Sequence, residues 1–362
     1  MSQEKCADVG GRSESTGVPS PGPAKTRLIR LGLVLFVVFF VFFIAEMTFR
    51  FYLFGFNALS IAKVNSVQPA TTEKLIQDSE NRELLFEWKQ NLDTYFKLAR
   101  FKTNSHGLRD KEYAVEKPAG VFRIAVVGDS YSVPSGVEIE KAYHTLLEDR
   151  LNAETSEIRY EVINFAVGGY SPRQYVVVTE HKVLAYRPDL ILIAYCAIND
   201  FKPNWNDEHV DWKEPNGHSI VKAREYPFFS SFLYDYQIRK LFGSAKKLTW
   251  AKKVKVLDAE YLNHNFSLLS RMGERRGIPI VIAYMSLEPD DSRPVGEIAR
   301  SHGLHFVNVS IPFKDLDVAQ YHILKIDHHP NAEAQKIFEK SLYEYLNEKN
   351  LLPRLGGTRR RG

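Results

Sequence analysis

The chain has very little cysteine. Only Cys6 and Cys196 occur among its 362 residues. Cys6 lies in a polar tail and Cys196 ends a predicted buried strand, so we expect no disulfide between them. The scarcity of cysteine excludes a small disulfide-stabilised domain, so a hydrophobic core must stabilise the fold. Scarce cysteine fits both a reducing compartment and a bacterial-type exterior, and it does not distinguish the two.

The sequence also lacks the features of several ligand-binding classes. The formal net charge is only +4, and much of it lies in the two tails. No basic stripe with interleaved aromatic residues occurs in the body of the chain, which argues against nucleic-acid binding. Metal-ligand spacing and a phosphate-binding glycine loop are both missing, so we expect no metal and no cofactor.

One long apolar run is present near the amino terminus. Leu31 to Ala45 carries no charge, and the two residues before Arg30 extend the run. At ~1.5 Å per residue the uncharged part spans roughly 22 Å, and Arg30 and the aromatic residues 49–56 can complete a ~30 Å bilayer core. A cleaved signal peptide would need a small-residue cleavage site, and a buried core helix would not be so rich in phenylalanine. We predict a transmembrane helix over residues 28–48.

The charges beside this run predict its orientation. Lys25, Arg27 and Arg30 lie on its amino side, and the positive-inside rule keeps that side in the cytoplasm. Residues 1–27 are rich in Ser, Gly and Pro, which predicts a disordered cytoplasmic tail. The run is then a signal anchor, and the large domain lies outside the cytoplasm.

Two segments flank the predicted domain of residues 103–349. Residues 49–102 have mixed charge and include EKLIQDSENRELLFEWKQNL, whose apolar residues at helical spacing predict a helical juxtamembrane connector. Residues 350–362 are basic and predict a flexible tail.

Within the domain, apolar strands alternate with helices. The predicted strands are Phe122–Val127, Tyr160–Asn164, Asp189–Tyr195, Ile278–Tyr284 and His305–Val309, and the predicted helices are Lys141–Leu151, Pro172–Tyr186, Val295–His302 and Asn331–Asn347. Strands that are apolar on both faces indicate a parallel sheet covered by helices on both sides, which is an α/β fold.

An insertion of about residues 203–276 follows the third predicted strand and is longer than a crossover requires. It includes predicted helices over Ser230–Leu241 and Ala251–Arg276, and its position would allow it to roof a site. Trp205 and Trp212 could stack on a sugar ring or a lipid chain, although such residues more often only pin a loop to the core.

The residues after the first predicted strand indicate a reactive site. The strand breaks at Gly128, and Asp129 and Ser130 follow at the edge of the sheet where α/β folds collect their sites. Ser130 is either a helix cap or a nucleophile. A nucleophile needs a base, and the best candidate is His329, with Asp327 two residues upstream to orient it.

Two other segments offer hydrogen-bond donors. NFAVGGYS, residues 164–171, contains Gly168 and Gly169, and AIND, residues 197–200, contains Asn199. The glycines could also serve only to turn a strand into a helix, and the Asn-Asp pair could be a turn or a cap.

Taken in order, the four segments resemble the SGNH hydrolases, also called the GDSL esterase/lipase family. The resemblance covers roughly residues 100–348, except the insertion, and implies a three-layer α/β/α, flavodoxin-like fold. It implies that Ser130 is the nucleophile, His329 the base and Asp327 its partner. It also implies an oxyanion hole of the Ser130 N–H, the Gly169 N–H and the Asn199 amide.

The sequence departs from the family pattern at three positions. Ser132 replaces the leucine of GDSL, and Ala197 replaces a glycine two residues before the third-block asparagine. The acid commonly lies three residues before the histidine, where this chain has Ile326. Asp327 lies two residues before it instead.

The sequence therefore predicts a membrane-anchored, extracytoplasmic serine esterase that removes an acyl group, for example acetyl, from a glycan or a lipid. An O-acyltransferase that acts on a polysaccharide with the same triad is one alternative. A non-catalytic binding or assembly protein of the same fold is another.

Overall fold

The computed structural model describes residues 23–67, 74–155, 157–201, 257–288 and 290–353. The chain divides into two units, residues 1–49 and residues 50–362.

In the first unit, every described residue belongs to helix α1, Pro23–Phe54. The large apolar side chains from Leu28 to Ile44 are exposed, and the helix is long and apolar enough to cross a membrane. Residues 23–27 are helical, so the prediction of a disordered tail is wrong for these five residues. Residues 1–22 of that predicted tail lie outside the described residues.

The second unit contains short hairpins and one large sheet. Its strands are β1 (Ile76–Asp78), β2 (Phe86–Trp88), β3 (Asp93–Phe96), β4 (Ala99–Lys102), β5 (Val121–Gly128), β6 (Arg159–Asn164), β7 (Leu190–Cys196), β8 (Ile280–Met285), β9 (His305–Asn308), β10 (His322–Leu324) and β11 (Asp327–Pro330). Its helices are α2 (Ile61–Asn65), α3 (Tyr143–Glu154), α4 (Pro172–His181), α5 (Ala259–Arg276), α6 (Arg293–Ser301) and α7 (Ala332–Glu348).

The large sheet has five parallel strands in the order β6-β5-β7-β8-β9. Strands β7 and β8 are buried along their whole length, as their continuous apolar sequences predict. Counted along the chain from β5, this is the 2-1-3-4-5 order of the flavodoxin-like fold. The direction of the strand order reverses between β5 and β7, and in such sheets ligands bind at the carboxyl ends of the strands beside that point.

Two hydrophobic cores cover the sheet, one on each face. One contains Ile193 of β7 together with side chains of α4, α5 and α6, such as Phe266. The other contains Leu192 of β7 together with side chains of α3 and α7, such as Phe338. Neighbouring residues of one strand belong to different cores because side chains alternate between the faces. The predicted three-layer α/β/α fold is confirmed.

The helical connector predicted over residues 49–102 is wrong for its second half. Residues 76–102 form two antiparallel hairpins, β1–β2 and β3–β4. Leu85, Asn91, Lys97 and Leu98 adopt positive φ, which a continuous helix cannot accommodate. Phe86 and Trp88 alternate with Glu87 and are buried against the domain, so tertiary packing overrides the helical spacing.

Helix α5 is the crossover between β7 and β8. It packs against α4 and contributes Leu262, Phe266 and Leu269 to one of the two cores. Residues 259–276, which the sequence suggested as part of an insertion, therefore belong to the α/β layers. Residues 203–256 of the predicted insertion, including Trp205, Trp212 and the predicted helix Ser230–Leu241, lie outside the described residues. The last residues of the predicted basic tail, 354–362, also lie outside them.

Candidate active site

Strand β5 delivers Ser130 to the carboxyl edge of the sheet. The chain turns through residues 129–137, and the next helical residues begin only at Ile139. The recorded caps of the following helical segments are Glu138 and Ala142, so Ser130 caps neither of them. Ser130 is partly exposed, whereas its neighbours Asp129 and Tyr131 are buried.

The turn before Ser130 requires glycine at position 128. A Cβ at Gly128 would lie 2.7 Å from Ser132 Oγ and 3.0 Å from the Cβ of Ala194 on β7. Ser132 is itself held by a 2.8 Å hydrogen bond with the Tyr143 hydroxyl, so the space cannot open freely.

We expect Gly128→Ala to destabilise the domain by about 1–3 kcal/mol, because the added methyl overpacks a site closed by two strands. The measurement is urea unfolding followed by tryptophan fluorescence. An unchanged midpoint and slope would show that the turn has room for a Cβ.

The β10–β11 hairpin places a histidine and an aspartate beside Ser130. His329 Nε2 lies 2.9 Å from Ser130 Oγ, and His329 Nδ1 lies 2.5 Å from Asp327 Oδ1. The backbone N–H of His329 also donates to Asp327 Oδ1, at 3.1 Å. Because β11 is extended, residues two apart point to the same side, so the Asp-x-His spacing brings the two side chains together.

The other histidines lie away from this cluster. His328 points to the opposite side of β11 and stacks on His322, with ring centroids 4.3 Å apart. His302 Nε2 contacts Asn263 Oδ1 at 3.1 Å. Among the described residues, no group of three or more His, Cys, Asp or Glu side chains is arranged to hold a metal ion.

A lysine that the sequence analysis did not identify completes the charged cluster. Lys97 Nζ lies 2.8 Å from Asp327 Oδ2 and 3.0 Å from His329 Nδ1. Burial by itself would raise the pKa of Asp327. The hydrogen bond from His329 and the positive charge of Lys97 outweigh this effect and hold that pKa well below its ordinary value. Burial lowers the pKa of Lys97, and the Asp327 carboxylate opposes that shift.

Asn199 faces the turn that carries Ser130. Its Nδ2 donates to Asp129 Oδ2 at 2.7 Å, and Asp129 Oδ1 accepts from the Tyr131 N–H at 2.9 Å. Burial raises the pKa of Asp129, and these two hydrogen bonds oppose the rise. An amide nitrogen carries two hydrogens, so one bond to Asp129 orients Asn199 and leaves a second donor.

The neighbouring Asp200 has the structural role that the sequence left open for the Asn-Asp pair. Its Oδ2 accepts from the Cys196 N–H at 2.7 Å and from the Tyr175 hydroxyl at 2.9 Å. These bonds close the turn after β7 and thereby fix the position of Asn199.

The Gly168–Gly169 turn lies next to Ser130. A Cβ at Gly168 would lie 3.8 Å from the Ser130 Cβ and 3.7 Å from the indole of Trp88. Gly169 has a φ of 88°, which side-chain-bearing residues rarely adopt. Asn164, at the root of the turn, donates to the Ser132 carbonyl at 2.9 Å.

Two hydrogen bonds join the β1–β2 hairpin to this segment. Trp88 Nε1 donates to the Ala166 carbonyl at 3.1 Å, and the Tyr170 hydroxyl donates to the Phe86 carbonyl at 2.7 Å. Sequence reasoning missed Phe86 and Trp88 because it assigned both to a helical connector. Their alternation with a polar residue was the available signal.

No protein family and no curated protein matches this chain. Solved structures with similar chain traces include TesA, at 17% identity over 64% of this chain and 99% of that chain, with a TM-score of 0.41. A catalytic mutant of Axe2, an acetylxylan esterase from Geobacillus stearothermophilus, is 16% identical over 65% of this chain and 97% of its own, with a TM-score of 0.41. A two-domain esterase (CEX) active on acetylated mannans is 13% identical over 67% of this chain and 54% of its own, with a TM-score of 0.43. Because these identities and TM-scores are low, we base the assignment of the fold on the strand order and the assignment of the site on its geometry.

Proposed function

We propose that the chain is a serine esterase of the SGNH type that cleaves carboxylic esters. The observation that carries the proposal is the contact of Ser130 Oγ with His329 Nε2, with Asp327 on the other ring nitrogen. A base within hydrogen-bond reach of a hydroxyl and a third group that orients the base are the geometric signature of an activated nucleophile. The three residues come from two distant parts of the chain, and a helix cap would not need them together.

Acylation would begin with attack of Ser130 Oγ on the ester carbonyl carbon. His329 Nε2 takes the hydroxyl proton, and Asp327 accepts the hydrogen bond of Nδ1–H and stabilises the imidazolium. The tetrahedral intermediate then collapses, and its C–O bond to the alcohol breaks. The alcohol leaves with the proton from Nε2, and the acyl group stays on Ser130 Oγ.

Deacylation would repeat these steps with water. Nε2 removes a proton from a water molecule that attacks the acyl carbon, and the same proton returns to Ser130 Oγ as the acid leaves. In both halves, negative charge develops on the carbonyl oxygen. The proposed donors to this oxyanion are the N–H groups of Ser130 and Gly169 and the second hydrogen of the Asn199 amide.

We expect Asn199→Ala to lower kcat by about 10²- to 10³-fold, because the oxyanion loses a preorganised donor. The loss should fall mainly on kcat, since the charge exists only in the transition state. The measurement is steady-state ester hydrolysis. Asn263→Ala, at an exposed asparagine on α5, is the matched control and should keep full activity. If only KM changed, the assignment of Asn199 to the oxyanion hole would be wrong.

The proposed substrate is an acylated glycan or lipid beside a membrane. The exposed apolar helix α1 supports a membrane anchor, and the basic residues before it support a cytoplasmic amino terminus. The second unit would then work outside the cytoplasm, and its ester substrate would be a component of the cell envelope.

The activity is tested with the full chain in detergent on p-nitrophenyl esters of increasing acyl length and on acetylated sugars. We expect measurable turnover, with a preference for short acyl groups if acetyl is the natural group. No turnover on any ester, from a protein with an intact melting transition, would contradict the proposal.

A further inference from the structure

Lys97 lies in a turn that is held in place by two hydrogen bonds to Ser66. It lies between β3 and β4, where Lys97 and Leu98 both adopt positive φ, at 49° and 74°. The Lys97 N–H donates to the Ser66 carbonyl, and the Leu98 N–H donates to Ser66 Oγ, each at 2.9 Å. The turn fixes the direction in which the Lys97 side chain leaves the backbone. A β-hairpin does not itself require a buried lysine at this position.

The ammonium group of Lys97 and the ring of His329 share one carboxylate. Asp327 Oδ1 binds His329 Nδ1, and Asp327 Oδ2 binds Lys97 Nζ at 2.8 Å. The Lys97 side chain is only 16% exposed, so solvent screens its charge weakly. Both oxygens of Asp327 are therefore held, and the carboxylate cannot rotate away from the histidine without breaking the bond to Lys97.

Lys97 Nζ lies 3.0 Å from His329 Nδ1, but the group that it binds is the carboxylate. When Nδ1 carries the hydrogen that it gives to Asp327, it has no lone pair to accept from Lys97. The ammonium group then touches the edge of the ring and binds Asp327 Oδ2. Lys97 therefore acts on the histidine through Asp327.

Other titratable groups also face the histidine. Asp129 and Tyr131 approach from the turn after β5, with the Tyr131 ring centroid 5.9 Å from that of His329. His322 and His328 stack on the far side of the β10–β11 hairpin. Lys97 is the cation that binds the Asp327 carboxylate.

We infer that Lys97 is a positioning residue for the triad: it holds the Asp327 carboxylate in the orientation in which Oδ1 accepts the hydrogen bond of His329 Nδ1–H. The inference rests on the proposed function. It also assigns residues 60–67 a part in the site, because Ser66 holds the turn from which Lys97 extends.

The test compares Lys97→Met and Lys97→Arg with a matched control, Lys102→Met, whose lysine lies at the end of β4 with 55% of its side chain exposed. In Lys97→Met we expect kcat/KM at the optimum to fall about 10- to 100-fold, because the carboxylate is no longer held. We expect the loss to fall on kcat and KM to stay near its wild-type value, because Lys97 acts on the triad and not on the substrate. Lys97→Arg should recover most of the loss, and Lys102→Met should leave kcat and KM unchanged.

A measurement that does not depend on turnover keeps the two proposals distinguishable. The Nδ1–H proton resonance of His329 is observed in ¹⁵N-histidine-labelled protein and assigned with His329→Gln. We expect this resonance to move upfield or to broaden in Lys97→Met, whether or not the protein hydrolyses the chosen ester, because the carboxylate that accepts this proton is no longer held. An unchanged resonance, with the melting temperature of Lys97→Met at the wild-type value, would overturn the inference. A changed resonance without Ser130-dependent hydrolysis would instead overturn the proposed function.

Discussion

Ser130→Ala should lower kcat for ester hydrolysis by roughly 10⁴- to 10⁶-fold and leave the fold intact. Only the hydroxyl group is lost, and Ser130 is partly exposed, so we expect little loss of stability. A small residual rate above water would remain from substrate binding and the oxyanion donors. The measurement is steady-state hydrolysis of the best ester found in the acyl-length series, with melting temperatures in parallel.

Ser301→Ala is the matched control for this experiment. Ser301 is an exposed serine at the end of α6, and its hydroxyl bonds only the Ile298 carbonyl of its own helix. It should retain full activity. Wild-type turnover in Ser130→Ala would contradict the account, because Ser130 supplies the hydroxyl that contacts His329 Nε2.

Asp327→Asn should lower kcat by about 10⁴-fold at neutral pH. An amide can accept the Nδ1–H hydrogen bond only through its oxygen, and it carries no charge to stabilise the imidazolium. It also leaves the buried Lys97 ammonium without its anionic partner, which favours rearrangement of the β3–β4 turn. Asp315→Asn, at an exposed aspartate, is the matched control and should have no effect.

This prediction also tests the departure from the family spacing. If Asp327→Asn retained most of its activity, the orienting acid would lie elsewhere and the Asp-x-His spacing would be incidental. The structure argues otherwise, since Asp327 binds both the ring and the backbone N–H of His329. Period-two alternation on a strand explains why an acid two residues upstream can orient the histidine.

Much of the α/β core follows from local sequence. Strands β7 and β8 are continuous apolar runs flanked by turn residues, and such runs predict buried parallel strands with little ambiguity. The order of the sequence blocks then places Ser130 and Asn199 at one edge of the sheet, because β5 and β7 are parallel and share their carboxyl edge. His329 comes from the separate β10–β11 hairpin, and its Nε2 lies 2.9 Å from Ser130 Oγ.

The hairpins of residues 76–102 could not be predicted in this way. Their sequence has apolar residues at helical spacing, and the choice of strand depends on contacts with distant parts of the chain. Trp88 bonds Ala166, and Lys97 contacts a histidine 232 residues away. A lysine in a mixed-charge segment gives no local signal of such a contact. The consequence is that a segment predicted to be a spacer contributes directly to the site.

Labelling with a fluorophosphonate tests the central claim most directly. An activated serine displaces fluoride from phosphorus and keeps the phosphonyl group, so the tryptic peptide that contains Ser130 gains its mass. We predict one label per chain, on Ser130, and labelling slowed by orders of magnitude in His329→Ala. Labelling of folded protein at another serine, or no labelling of Ser130 under any condition, would contradict the account.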